Sequence, residues 1–451
     1  MSNAKKLGSR ILAVIFFSTL LATLGLCGCG EALVDVAEVL QAANLPAVSF
    51  AANPTSVTSG GSSMLTWSST NATSCSASGA WSGTKATSGS QSTGALTSFT
   101  TFALACTGSG GTASASATAT VSIKGVSLAA LAASMQPGQW ATLDTININP
   151  TLMNTGGASG YITGDSESIK WDPVTRQLFF LGEDHGPGGQ RFVSYSESTS
   201  TWQILPQTSW MLVFSHGYDH KALDVANRYL YVRGSYLDRS TYRYQIDNKV
   251  WEQLQDNNVL EYVSCCGGWD YFPEMNGVVW FQGGEVASGS TSYGGLFLRD
   301  NSTGSWRRLG SRATYVSGTY NNFAEYNPIH KVVIFGGGNG SRNLYKLDSG
   351  GGVTSLGLAP VDLGNRAGVV TIDPVSGNYL VLSNTNNSFH SYDVASNTWH
   401  LLPTAPIFQP IVNNLSTFGV VATPVSTYGV TLFVQCASSN CVVRLYKHQG
   451  G

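Results

Sequence analysis

The densest cluster of reactive side chains in the chain is HGYDHKALD, residues 216 to 224. In an extended segment His216, Tyr218 and His220 project to one side and Asp219 to the other, because side chains of a strand alternate. Two imidazoles and a phenol on one face could ligate a metal or exchange protons near neutral pH. The tight ligand spacing that marks a metal site is missing, so no cofactor is expected, although a metal at the mouth of the domain stays open. Glu167 and Asp219 fall at matching positions of consecutive repeats. Paired carboxylates hydrolyse glycosides when they stand roughly 5 to 10 Å apart. Packing and the holding of loops by hydrogen bonds are the plainer roles for the same four residues, Glu167, His216, Asp219 and His220.

A second set of residues suits binding. Trp269, Tyr236, Tyr293 and Tyr320 put aromatic rings in loop-like stretches beside Asp270, Asn322 and Arg366. Sugar C–H faces stack on aromatic rings while hydroxyls seek fixed polar partners. Loop aromatics also make protein contacts. The expected contact set for a glycan or protein ligand is Tyr218, His220, Trp269, Asp270, Tyr320, Asn322 and Arg366.

These residues are carried by a repeat. Trp171 to Pro206 is one copy: an apolar residue and a Pro, Asp or Asn turn, an apolar run, a polar Gly-rich loop, an alternating segment, and a closing Trp. Further openings stand at Leu223-Asp224, Phe272-Pro273, Tyr326-Asn327-Pro328, Ile372-Asp373-Pro374 and Ala422-Thr423-Pro424. The closing residue recurs as Trp202, Trp251, Trp306 and Trp399, with Tyr195, Tyr244 and Tyr392 seven residues before three of them. A period of roughly fifty residues with four short strands per unit predicts propeller blades, each burying its faces against the next. Six openings predict six blades. The sixth lacks a closing Trp, and Trp140 to Leu143 matches it, so that segment is expected to supply the last outer strand and close the ring. The loops entering each blade and those between its second and third strands then share one face, which gathers Asp165, Glu167, His185, His216, Asp219, His220, Trp269, Tyr320, Arg342, Asn413 and Asn414 as well. His330 falls on the opposite, turn-rich face.

The amino terminus reads as an address. Lys5, Lys6 and Arg10 precede the apolar run Ile11 to Leu24, too short for a comfortable transmembrane helix. Leu26-Cys27-Gly28-Cys29 follows and resembles the bacterial lipobox, which implies cleavage after residue 28 and a lipid on Cys29. Gly30 in place of an Asp retention signal implies the outer membrane or cell surface, with membrane contact only through that lipid. Residues 29 to 46 are expected to be a tether. Residues 47 to 123 are rich in Ser, Thr, Ala and Gly, and SSMLTWSS and TTFALACTG alternate with a period of two, placing Phe102, Leu104 and Cys106 on one face. The block resembles the Ig-like modules of bacterial surface proteins, which implies a β-sandwich used mainly as a spacer. Residues 124 to 137 join it to the propeller, with two helical turns expected from Leu128 to Met135.

Composition agrees with an exported β-protein. The 451 residues are only 11% charged, against roughly 25% in average soluble proteins. With 24 basic and 26 acidic residues the net charge is −2, and without a basic stripe nucleic acid is not an expected partner. Of 8 cysteines, Cys27 leaves with the signal and Cys29 takes lipid. Six cysteines allow about fifteen connectivities, of which spacing suggests Cys75–Cys106, a bridge between two sheets, Cys265–Cys266, and Cys436–Cys441 across a hairpin. Two free thiols at Cys265 and Cys266 are the alternative to the second pair.

Within the expected propeller domain, 138 to 451, residues 138 to 448 resemble the kelch and galactose oxidase type of propeller through Gly283-Gly284, Gly336-Gly337, the Tyr-to-Trp spacing and the closing Trp. The resemblance implies an all-β, kelch-like propeller behind an Ig-like sandwich; the six blades come from the repeat count and are one fewer than that family's seven. Copper-radical oxidases of that type use a Tyr next to a His ligand, and no Tyr-His pair occurs here. Function therefore has to come from the site rather than the fold. The expectation is a lipid-anchored surface module that recognises a glycan or protein. The alternative is a carbohydrate-active enzyme, a hydrolase, lyase or copper-radical oxidase, built on Glu167, His216, Asp219 and His220.

Overall fold

The computed structural model describes residues 44–448 apart from 59, 98–99, 123–125, 154–159, 165, 167, 183–189, 214–218, 234–239, 258–266, 289–290, 312–313, 365–366, 384–387, 407–418 and 438–439. Residues 1–43, which hold the expected signal and most of the expected tether, Cys29 among them, lie outside this set, as do Glu167, His216, Tyr218, Cys265, Cys266 and Arg366. The chain is all-β, built from many small antiparallel sheets. No helix among the described residues is long and apolar enough to cross a membrane.

Residues 47–122 make two sheets around one core. Strands Ala47–Asn53, Met64–Thr70 and Ser88–Ser92 form one. Gly83–Lys85, Ser74–Gly79, Thr100–Gly108 and Gly111–Ser122 form the other. Phe102, Leu104 and Cys106 alternate inward as the sequence predicts and meet Leu65, Trp67 and Trp81. The Cys75–Cys106 disulfide forms, but it corrects one expectation. The two cysteines are direct partners on neighbouring strands of a single sheet, with Cα atoms 4.0 Å apart, so the bridge staples one sheet instead of joining two.

Six units with four strands side by side follow, the third carrying a fifth strand, Tyr315–Val316, paired to its third. Five are consecutive in the chain, running from inner strands Lys170–Asp172, Lys221–Asp224, Gly268–Phe272, Asn322–Asn327 and Gly368–Ile372 to their outer strands. The sixth joins Val420–Val425, Val430–Ala437 and Asn440–Tyr446 to Trp140–Leu143, which pairs in register with Tyr446↔Trp140 and Val443↔Leu143. Each inner strand touches the next, and the sixth touches the first. Short parallel bridges, Ser168↔Ala422 and Asp219↔Gly268, link neighbours along this cycle.

The repeat motif has a direct structural cause. Tyr195↔Trp202, Tyr244↔Trp251 and Tyr392↔Trp399 are cross-strand partners of the two outer strands. Their ring centroids lie 5.4, 5.1 and 4.6 Å apart. Such pairs contribute about 0.5–1.5 kcal/mol beyond simple burial. The sixth unit makes the same pair from the two ends of the region: Tyr446 meets Trp140 at 4.8 Å.

The turns after the inner strands repeat as well. Asp172, Asp224, Asn327 and Asp373 accept backbone N–H bonds from residues two or three ahead. The fifth position of the turn is left-handed throughout, as Arg176, Arg228, Asn276, Lys331, Gly377 and Gly429. These turns interlock between sheets. Arg228 donates to both oxygens of Asp172 at 2.5 and 2.7 Å, Asn327 to the Gly377 carbonyl at 2.6 Å, and Trp171 to Thr427 at 3.1 Å.

The expected helix forms over Leu128–Ser134, with Ser127 as its N-cap. It is docked rather than free: Leu128, Leu131 and Ala132 enter the core shared by the first and sixth sheets. Glu197 of the first sheet accepts from Ala129 N at 3.2 Å and from the Tyr428 hydroxyl at 2.7 Å. Strand Gly111–Ser122 also meets Trp140–Leu143 in parallel at Ser122↔Thr142. The sandwich sheet and the sixth sheet are therefore continuous.

Candidate functional site

The inner strands carry charge where they converge. Lys170, Asp270, Glu325, Thr371 and Thr423 each stand two residues before the first residue of the turn, so they share one register. Lys170 Nζ lies 3.2 Å from Asp270 and 3.7 Å from Glu325, reaching from the first sheet to the third and fourth. Asp270 also accepts from the backbone N–H groups of Tyr271 and Tyr326, each at 2.9 Å. Ser168 donates a short bond to Asp219, and Lys221 adds a second buried cation. Burial pushes the Glu325 carboxyl up to about 8, against the opposing pull of Lys170. Burial likewise raises Asp219 to about 6, with Lys170 and Lys221 opposing. At neutral pH Glu325 then keeps its proton.

This arrangement corrects two sequence expectations. Asp270 belongs to a sealed ion pair instead of facing a ligand. Asp219 does point away from His220, as alternation requires, but both side chains are buried. His220 is 0% exposed and packs toward Trp269 and Trp280 of the third sheet, at 6.4 and 6.3 Å between ring centroids. Burial and the nearby Arg233 guanidinium lower its pKa to about 3, which keeps the imidazole neutral. Arg233 itself lies over the Trp280 ring at 4.4 Å and the Trp306 ring at 4.9 Å. Trp269 is also 0% exposed, because the strand begins at Gly268 and its alternation turns the indole into the space between sheets. His220 and Trp269 are thus core residues rather than rim residues. Among the described residues no group of three His, Cys, Asp or Glu side chains is placed to hold a metal.

An open cleft of about 610 Å³ lies instead between the third and fourth sheets. Three segments line it: Thr291 and Ser292, Val316 to Tyr320, and Asn339 to Asn343, with Leu358 at the edge. Tyr320 is 46% exposed and Leu358 58%, giving the cleft apolar surface, and Arg342 is exposed beside them. Asn322, expected at a ligand, is only 1% exposed and builds the wall. It accepts from Gly283 N at 2.6 Å and donates to the Gly318 and Gly337 carbonyls at 3.2 and 3.0 Å. The left-handed Asn321 donates a short bond to Asn339, whose N–H donates to the Tyr320 carbonyl at 2.9 Å. Gly318 is needed there: a Cβ would stand 2.3 Å from Asn339 N. Of the expected contact residues, Tyr320 alone among the described ones lines this cleft. Arg342 and Asn343 join it.

No family model matches the chain, and no curated protein matches its sequence. Among solved structures it is similar to a protein of unknown function from Bacteroides thetaiotaomicron, at 10% identity and a TM-score of 0.47, covering 88% of this chain and 98% of that one. It is also similar to auxiliary nutrient binding proteins from Bacteroides thetaiotaomicron and Bacteroides ovatus. These are 10% and 9% identical, with TM-scores of 0.44 and 0.45, each covering 89% of this chain and 98% of the other. Likeness at this level carries no argument about function.

Proposed function

We propose that the protein is a surface-displayed module that recognises a glycan without turning it over. In this reading the six sheets are blades of a kelch-like propeller, supported by the cycle of inner strands and the Trp140–Leu143 closure. The first two sheets are an Ig-like spacer, and a lipid on Cys29 holds the assembly at the outer membrane. The observation that carries the function is the cleft between the third and fourth sheets. Its volume of about 610 Å³ suits a short oligosaccharide. Its lining of an exposed phenol, amides, hydroxyls and one guanidinium suits stacking with hydrogen bonding. The burial of Asp219 and His220 on opposite faces of one strand favours recognition over catalysis.

A glycan array followed by calorimetry tests the reading. Tyr320→Ala should weaken oligosaccharide binding by about 1–3 kcal/mol, as loss of an aromatic anchor does, and leave the fold intact. Binding unaffected by Tyr320→Ala, or capture of proteins alone, refutes the glycan assignment. Release of reducing ends from any polysaccharide, abolished by His220→Ala, would replace recognition with catalysis.

A further inference from the structure

Resting on the cleft as the binding site, we infer that its ligand is acidic, a glycan bearing a carboxylate met by Arg342. Three observations lead there. Arg342 is exposed in the cleft, and no carboxylate pairs with it among the described residues. Elsewhere in the region Arg228 pairs with Asp172, Arg243 with Glu252 and Arg299 with Asp256, and Arg191 donates to the carbonyls of Pro150, Thr151 and Met153. Among the described residues the rest of the lining is neutral, so there the guanidinium sets the sign of the potential inside the cleft.

Position adds to sign. The segment from Asn339 to Asn343 is held from both sides. Ser341 N donates to the Gly338 carbonyl at 3.0 Å, Leu363 N to Ser341 O at 3.1 Å, and Ala359 N to Arg342 O at 2.9 Å. The backbone beneath the guanidinium is therefore fixed. Tyr320 and Leu358 supply the apolar surface for a sugar ring, and Arg342 a planar fork of donors that fits a carboxylate with two parallel bonds. A lysine would supply the charge without the fork.

The experiment compares hexasaccharides rich in uronic acid with their carboxyl-reduced counterparts, which keep the ring and linkage and lose the charge. Sulfated neutral hexasaccharides form a third arm. The wild-type protein should bind the carboxylated chains about tenfold more tightly than the reduced ones at low salt. Arg342→Gln should bring the two within about twofold, and Arg342→Lys should keep an intermediate preference. Tyr320→Ala should weaken both chains alike. Equal binding of carboxylated and reduced chains, or a preference that survives Arg342→Gln, overturns this inference and leaves glycan recognition standing. Preference for the sulfated arm overturns it in favour of another anion. Failure of every oligosaccharide to bind overturns the glycan reading itself, and this inference with it.

Discussion

Lys170→Met removes the cation that reaches from the first sheet to Asp270 and Glu325. The side chains of all three are about nine-tenths buried. At 3.2 Å the Lys170–Asp270 attraction is about 5 kcal/mol for an effective dielectric of about 20. Desolvation of the lysine offsets part of that, so the pair's net worth is smaller. The substitution does not restore the desolvated lysine, however; it leaves Asp270 buried with only two backbone donors. Breaking a buried pair in this way costs about 3–5 kcal/mol. A cooperative unit of roughly 300 residues has an unfolding entropy of roughly 0.6 kcal/mol/K, so Tm should fall by about 5–8 °C. Scanning calorimetry at pH 7 reads this directly. The double variants add resolution. Asp270→Asn in the Lys170→Met background should recover more than half of the loss, because it removes the orphaned charge. Glu325→Gln in the same background should recover little, because Glu325 already holds its proton at that pH. A single variant within 1 °C of wild type, to take roughly the resolution of the Tm shifts at stake, would refute the account of Lys170 as the cation that holds Asp270. Equal rescue by both second substitutions would refute the assigned protonation.

Glu325 also sets a pH dependence. Its folded pKa of about 8 lies above its ordinary value, so the unfolded chain releases that proton first as pH rises. The contribution of Glu325 to stability should therefore decline from about pH 4.5 to about pH 8 and then level, and Glu325→Gln should flatten that part of a Tm-against-pH curve. Trp140→Ala should cost about 3–5 kcal/mol in chemical denaturation, because the indole is buried against Phe389, Phe433 and Tyr446; a loss under about 1 kcal/mol would deny the closing strand its role. Labelling with a radioactive fatty acid should mark the protein and disappear in Cys29→Ala; label that persists excludes Cys29 as the lipid site.

The architecture was legible wherever a local rule had a long-range consequence that repeats. The Tyr-to-Trp spacing is a hairpin register, so one interval in the chain reports a cross-strand contact in three units. Trp140 could be matched to its distant partner because the fourth position of the sixth unit was vacant in sequence. The docking of the Leu128–Ser134 helix left no such trace. Its apolar residues read as two turns of helix, but the core they enter and the Glu197 carboxylate that ties it to the first sheet lie far along the chain.

The site was harder to read, for two physical reasons. The first is a boundary. Gly267 and Gly268 look like loop, yet pairing with the following strand starts at Gly268↔Phe281, and that small shift turns Trp269 from a rim platform into a core indole. Asn322 moves from ligand contact to wall in the same way, since its strand starts with it. The second reason is that the cleft belongs to no single segment. It is the gap left between Ser292, Tyr320 and Arg342, which come from the third sheet and from two loops of the fourth. Every unit has equivalent loops, so composition cannot say which pair of neighbours stands apart. A usable signal did exist in the run Gly336-Gly337-Gly338 followed by Asn339. All three glycines have positive φ, and added Cβ atoms would meet backbone or the Asn322 amide within 3 Å. Such a run marks a place where backbones approach too closely for side chains. Here that approach fixes the floor from which Arg342 rises, and the groups that make the cleft rigid are not the groups that face its contents.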